Sequence, residues 1–245
     1  MKQLGLIGFP LTHSFSATYF ATKFLKEGLD KEWSYANFPL HSITSIESLL
    51  TQEQLVGLNV TIPYKKEVIP YCDLLDETAL AVGAVNTLAR TTAGWKGYNT
   101  DVIGIEKTLL PLIRPQHQQA LIFGTGGAAQ AVAYVLRQIG VHYQFVSRRA
   151  APGVIAYSEL LFSELRSHKL WVNTTPVGQY PATKAVLPID FSQISDQHLL
   201  FDLIYNPACT AFLEKGKEKG AAILNGEGML LAQAEAAFDI WQRTN

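Results

Sequence analysis

The sequence predicts a two-domain α/β protein. Three observations carry that reading. Apolar strand-like runs alternate with helical patterns over the first 60 residues, the signature of a parallel sheet with crossover helices. A second strand–glycine-loop–helix unit starts afresh at Gln119. The length of 245 residues fits one large domain or two ordinary ones, and 48% hydrophobic residues can fill their cores.

Each element has a local reason. Leu4, Leu6 and Ile7 form an apolar run ending at Gly8, a buried strand. Phe15, Tyr19, Phe20 and Phe24 recur at near-helical spacing and stop at Gly28. Trp33 to Phe38 reads as a strand, Ile43, Ile46, Leu49 and Leu50 as a helical face, and Val56 to Val60 as a third strand. Leu74, Leu75, Thr78, Leu80 and Ala81 suit one short helix. Val85 to Arg90 and Trp95 to Tyr98 suit two strands joined near Ala93-Gly94. The capping residues Asn99, Thr100 and Asp101 precede a helix carrying Ile103, Ile105, Leu109, Leu110 and Ile113. Pro111 and Pro115 end it, and a boundary between units falls near here. Ala120–Phe123 and Tyr143–Val146 read as strands flanking a helix from Ala128 to Ile139. Leu170–Val172, Leu199–Leu203 and Ala221–Leu224 read as later strands, and 229–243 as a last helix.

Composition excludes several function classes. The 20 Lys and Arg residues balance 21 Asp and Glu, so no basic excess marks a nucleic-acid binder. No run approaches the roughly 18 apolar residues of a membrane span, and the start of the chain does not read as a secretory leader. Two distant cysteines, Cys72 and Cys209, give neither a disulfide framework nor zinc-ligand spacing. A reducing, cytoplasmic setting and no metal are expected.

Chemistry enters with Gly124-Thr125-Gly126-Gly127-Ala128-Ala129, which follows an apolar strand and opens a helix. Glycines let backbone approach a pyrophosphate, and the helix N-terminus offers N–H groups and a favourable dipole. The competing reading is an ordinary glycine-rich turn. About 20 residues on, where a carboxylate would hold the ribose of NAD, the chain has Ser147-Arg148-Arg149 instead. Two guanidiniums suit a 2′-phosphate, so NADP is the expected cofactor. Alone, that pair would read as solvated surface charge.

In the first half, Lys65 lies beyond the strand ending Asn59-Val60, at the edge where open α/β sheets bind ligands. A lone Lys is usually a solvated charge, and Asp101 alone reads as a helix N-cap. Together they would make an acid–base dyad, the carboxylate orienting an ammonium that exchanges a proton with a substrate oxygen. Ser14, Ser16, Asn86, the 173–178 loop, Tyr205 and Gln233 are further polar groups with bland readings of their own: caps, a turn, core polarity.

Taken in order, these segments resemble the shikimate dehydrogenase family. The resemblance runs through Gly8-Phe9-Pro10 to Ser16, Asn59 to Lys65, Gly83 to Leu88, Gly97 to Asp101, the loop at Gly124, Asn173 to Gly178, Asp202 to Pro207, and Asn225 to Ala234. It implies reversible NADPH-dependent reduction of 3-dehydroshikimate to shikimate, on the path to chorismate and the aromatic amino acids. It implies a substrate-binding domain at 1–101, with helix 229–245 packed back on it, and a Rossmann-like NADP domain at 102–228. The active site would lie in the cleft between them.

Carried over by position, Ser14 and Ser16 hold the substrate carboxylate, Lys65 carries the proton and Asp101 partners it. Thr61, Asn86, Tyr205 and Gln233 contact the substrate. Leu203 and Gly226 flank the nicotinamide, and Glu77 is also linked to the cofactor. Ala17 replaces a usual Pro, Thr125 a usual Ala, and Ser147-Arg148-Arg149 a usual Asn-Arg-Thr. The resemblance implies a small-molecule substrate as the partner, with the chain acting as a monomer or homodimer. Alternatives are a quinate/shikimate dehydrogenase with broader cofactor use, a ligand-sensing relative lacking the dyad, or a folate-type dehydrogenase of similar build. Intact Lys65 and Asp101 argue against the second, and the two-serine loop against the third.

Overall fold

A computed structural model describes residues 1–11 and 15–244. The chain divides into two compact units, Met1–Thr100 with Gln233–Asn245, and Asp101–Ala232. The first unit begins with β1 (Lys2–Gly8), α1 (Phe15–Glu27), β2 (Trp33–Pro39), α2 (Ile46–Leu50) and β3 (Leu55–Val60). It continues with β4 (Leu74–Leu75), α3 (Glu77–Val82), β5 (Thr87–Thr91) and β6 (Gly94–Tyr98). The second unit contains α4 (Asp101–Leu109), β7 (Gln119–Phe123), α5 (Gly127–Gln138), β8 (His142–Ser147), β9 (Val154–Ala156) and α6 (Phe162–Ser167). Then come β10 (Leu170–Asn173), β11 (Leu199–Asp202), α7 (Ala211–Glu218) and β12 (Ala222–Leu224), and α8 (Glu227–Thr244) starts in this unit and belongs from Gln233 onward to the first.

The first sheet has the order β2-β1-β3-β5-β6-β4. Its first three strands are parallel, and β5 and β6 form an antiparallel hairpin beside β3. Every residue of β3 is buried, as an apolar strand covered on both faces requires. Aromatic residues Phe20, Phe24, Trp33, Phe238 and Trp241 pack one cluster with Leu4, while Ile7, Leu55, Leu58 and Leu88 belong to another. Trp241 fits against β3 because Gly57 has no side chain; a Cβ there would run into the indole. The indole N–H donates to the Leu88 carbonyl at 2.8 Å, anchoring α8 to this sheet.

The second sheet is parallel throughout, with the order β12-β11-β10-β7-β8-β9. Read from β9, this is the 3-2-1-4-5-6 order of a dinucleotide-binding sheet, and its switch point lies between β7 and β10. Leu121, Phe123, Val146, Trp171, Leu200 and Phe212 fill its core.

Several expectations need correction. Leu74 and Leu75 are a strand paired with Lys96 and Gly97, not the start of a helix. The helix begins after Asp76, whose carboxylate accepts from the Ala79 N–H at 2.8 Å. The helix after Asp101 stops at Leu109 and tightens into a 3₁₀ turn at 110–112, where Pro111 has no N–H to continue it. Ser16 sits within α1, not on a loop. The expected strand end at Leu203 falls one residue earlier, at Asp202. β9, α6 and α7 were not expected at all. Each is eight residues or fewer, too short for periodicity to show.

His198 is 1% exposed. Its Nδ1 accepts from the Ser195 N–H at 3.0 Å, an arrangement that needs the neutral ring. Burial, with Lys169 nearby, lowers its pKa from 6.5 to about 4. The unfolded chain therefore takes up a proton that the folded one refuses, and stability is lost as pH falls from about 6.5 toward 4. Asp202 acts oppositely, because burial raises its pKa to about 6. His198→Asn should flatten the acid limb by up to about 1 kcal/mol per pH unit, read as unfolding free energy at pH 6.5, 5.5 and 4.5. Parallel curves for parent and variant would contradict this.

Candidate active site

In the first unit the site elements rise from the switch point of the sheet, where β1 lies between β2 and β3. Loops at the carboxyl ends of β1 and β3 meet there. Thr61 N–H donates to the Ile7 carbonyl (2.9 Å), and Phe9 N–H donates to the Ile62 carbonyl (3.1 Å). Lys65 follows in the turn after β3, partly buried, and its carbonyl accepts from the Val85 N–H at 2.7 Å. That bond places Lys65 beside the segment leading to Asn86.

Asn86 is the centre of a buried polar network. Its Oδ1 accepts from the Thr100 N–H (2.7 Å) and from the Thr87 hydroxyl (3.1 Å). Its Nδ2 donates to the Thr100 hydroxyl (2.9 Å) and to Gln233 Oε1 (3.5 Å). Asn59 Nδ2 donates to Thr87 Oγ1 at 3.3 Å and receives Tyr35 OH on its Oδ1 at 2.8 Å. Asn86 and Gln233, 147 positions apart, are thus brought together. The sequence pattern marks no site role for Asn59, Thr87 or Tyr35, and marks Thr100 only as a capping residue. The available signal was an asparagine inside the apolar strand Gly57-Leu58-Asn59-Val60, since a buried amide needs partners.

Ser14 lies outside the described residues. Ser16 is buried near the start of α1 and engages the Tyr35 phenol, partly offsetting the rise in its pKa caused by burial. Glu77 is exposed at the first position of α3.

In the second unit Asp101 is 4% exposed and opens α4. The glycine loop joins β7 to α5. Gly124 has φ +112°, and a Cβ there would strike the Thr174 hydroxyl. Gly126 caps α5 in an extended conformation, with no side chain capping the helix, and a Cβ built on it would meet nothing within 4 Å. Thr125, Gly127 and Ala128 complete this turn into the helix. Open space at Gly126 and an uncapped helix N-terminus fit a pyrophosphate.

Ser147 ends β8, and Arg148 and Arg149 are exposed just beyond it. Arg148 opposes the burial that pushes the Tyr157 phenol up to about 12. Leu203 and Gly226 are brought together. The Gly226 N–H donates to the Ile204 carbonyl (3.0 Å), and a Cβ on Gly226 would collide with the Leu203 carbonyl. Beneath them Asp202 is fully buried, accepting from Thr210 (2.6 Å), Ile204 N–H (3.1 Å) and Asn173 Nδ2 (3.1 Å). Tyr205 is partly buried, and burial raises its pKa. Among the described residues, no group of three or more His, Cys, Asp or Glu is placed to hold a metal ion.

A family model described as the shikimate dehydrogenase substrate binding domain matches residues 6–88. A shikimate dehydrogenase (NADP(+)) of Desulforamulus reducens is 35% identical, over 97% of this chain and 88% of that one. The chain belongs to the shikimate dehydrogenase family. The crystal structure of the family member from Aquifex aeolicus is similar at 32% identity and a TM-score of 0.87, covering 99% of this chain and 93% of that one. The Thermus thermophilus enzyme, solved with NADP(H) and shikimate, is 28% identical with a TM-score of 0.87 over 99% and 94%.

The two loop glycines separate stability from binding. Gly126→Ala should cost at most about 1 kcal/mol of stability yet weaken NADP binding by about tenfold or more, because its methyl occupies the open space. Gly124→Ala should destabilise by about 1–3 kcal/mol through its backbone angle alone. Thermal unfolding and NADP titration of both variants check this. Full NADP affinity in Gly126→Ala would remove the loop from the pyrophosphate site.

Proposed function

We propose that this chain is an NADP-dependent oxidoreductase that interconverts shikimate and 3-dehydroshikimate, a step toward chorismate and the aromatic amino acids. The observation that carries the reading is the pairing, in one chain, of the Asn86–Gln233 network with the glycine loop. One offers buried amides to a polyhydroxylated ring. The other offers backbone to a dinucleotide.

NADP, when bound, supplies the acceptor or donor of hydride. The backbone around Gly124–Gly127 would receive its pyrophosphate and the N-terminus of α5 would favour the negative charge. Arg148 and Arg149 would hold the 2′-phosphate, with Ser147 beside them. Leu203 and Gly226 would border the nicotinamide, and Glu77 is assigned to the cofactor as well.

The chain's own chemistry is a proton transfer. Lys65 gives a proton to the C3 oxygen of 3-dehydroshikimate and takes it back in the reverse direction. Asp101 orients the ammonium. Ser14 and Ser16 bind the ring carboxylate, while Thr61, Asn86, Tyr205 and Gln233 fix the rest of the ring. The substrate role is assigned to residues 1–101 with 229–245, and the NADP role to 102–228. A cytoplasmic setting, with the chain as a monomer or homodimer, completes the proposal; the free cysteines Cys72 and Cys209 support the reducing compartment.

Lys65→Ala should lower kcat by at least about 100-fold with little change in KM for shikimate, since the proton carrier goes and the binding groups stay. A loss confined to KM would make Lys65 a binding residue. Replacing Arg148 and Arg149 together by Ala should weaken NADP by about tenfold, or about 1.4 kcal/mol, and leave NAD turnover nearly unchanged. An equal effect on both cofactors would place the arginines elsewhere.

A further inference from the structure

Tyr157 stands where β9 ends beside β8, at the carboxyl edge of the second sheet. The two strands run parallel, with Val146 paired to Ile155 and Ser147 to Ala156. One step further along them come Arg148 and Tyr157. β8 lies between β9 and β7, and strands two places apart are separated by about 9–10 Å. The Tyr157 ring nevertheless stacks on Phe123, the last residue of β7, with centroids 6.1 Å apart and planes 9° from parallel. The phenol therefore leans inward across the end of β8, toward the strand that opens into Gly124. Its ring packs against the apolar core of the sheet, which limits where the hydroxyl can go.

Among the described residues none hydrogen-bonds that hydroxyl or the Arg148 guanidinium. Burial raises the phenol's pKa to about 12 and the charge of Arg148 opposes the rise, so near neutral pH the hydroxyl keeps its proton and can donate it. The carboxylate of Glu159, two residues on, accepts from the Ala156 N–H at 3.0 Å and is turned to the backbone. What this strand end offers a ligand is thus a set of donors: two guanidiniums and a phenol. The ribose 2′ position of a dinucleotide falls beyond the second strand of such a sheet. A phosphate there carries close to two negative charges and several acceptor oxygens. A ribose hydroxyl would leave most of these donors without an acceptor.

We propose that Tyr157 is a specificity residue for the cofactor: its hydroxyl donates to the 2′-phosphate beside Arg148, and its stack on Phe123 holds that donor at the place where NADP differs from NAD. The inference rests on the reading that Arg148 and Arg149 receive this phosphate.

Tyr157→Phe keeps the ring and removes only the hydroxyl. Direct binding titrations test it without turnover, using NADP, NAD and the adenine fragments adenosine 2′,5′-bisphosphate and 5′-AMP. NADP and the bisphosphate should each bind about fivefold or more weakly, as expected when a hydrogen bond to a charged group is lost. NAD and 5′-AMP should stay within about twofold of the parent.

An equal loss for all four ligands would make Tyr157 a wall for the adenine ring, and full NADP affinity would leave its hydroxyl outside the site; either result overturns the proposal. The double replacement of Arg148 and Arg149 by Ala separates this failure from that of the cofactor reading. If the arginine variant loses the preference for NADP while Tyr157→Phe keeps it, the proposal alone fails. If the parent binds NADP and NAD equally and the arginine variant alters neither, the cofactor reading fails and the proposal with it.

Discussion

Burial of polar groups at the carboxyl ends of parallel strands is the constraint on which this structure depends. Each buried amide, hydroxyl or carboxylate needs a partner, because an unmet one costs about 1–3 kcal/mol. Asn59, Thr87, Asn86, Thr100 and Gln233 partner one another in the first unit, and Asn173, Asp202 and Thr210 in the second, while among the described residues Asn99 Oδ1 is the buried side-chain oxygen left without a partner. These side chains join loops far apart in sequence. A network of this kind holds its members within tenths of an ångström, which substrate recognition needs.

The second network shows how such a device serves a cofactor site. Asn173 Oδ1 accepts from both the N–H and the hydroxyl of Thr175 (3.0 and 2.7 Å), shaping the turn after β10. In that turn Thr174 bonds the Phe123 carbonyl at 2.7 Å and fills the space a side chain on Gly124 would need. Asp202 ties the same turn to the backbone of Ile204, next to Leu203. Asp202 thus joins the loops after β10 and β11, and Thr174 links the first of these to the end of β7.

Much of the architecture was legible because it follows from local periodicity. The run Leu4-Gly5-Leu6-Ile7 could hardly be anything but a buried strand, and the glycine loop declared itself by lying between a strand and a helix. What failed had a tertiary cause. Leu74-Leu75 is a strand only because β6 lies beside it, and two residues carry no period. β9 is three residues long and owes its pairing to β8. Motifs drew attention to Asn86 and Gly126, and the structure gives the first a buried network and the second the cap of α5. Tyr35 was not legible: an aromatic in an edge strand looks like core, and its hydroxyl acquires meaning only when the fold brings Asn59 to it.

The reading of this chain as an enzyme of shikimate chemistry makes its most direct claim about which substrate and which cofactor it uses. A two-by-two assay of shikimate and quinate, each with NADP and with NAD, tests it in one experiment. The account predicts that shikimate with NADP has the highest kcat/KM, by about tenfold or more over shikimate with NAD, and that quinate is the poorer substrate with either cofactor. Equal efficiencies for the two cofactors, or quinate matching shikimate, would contradict it.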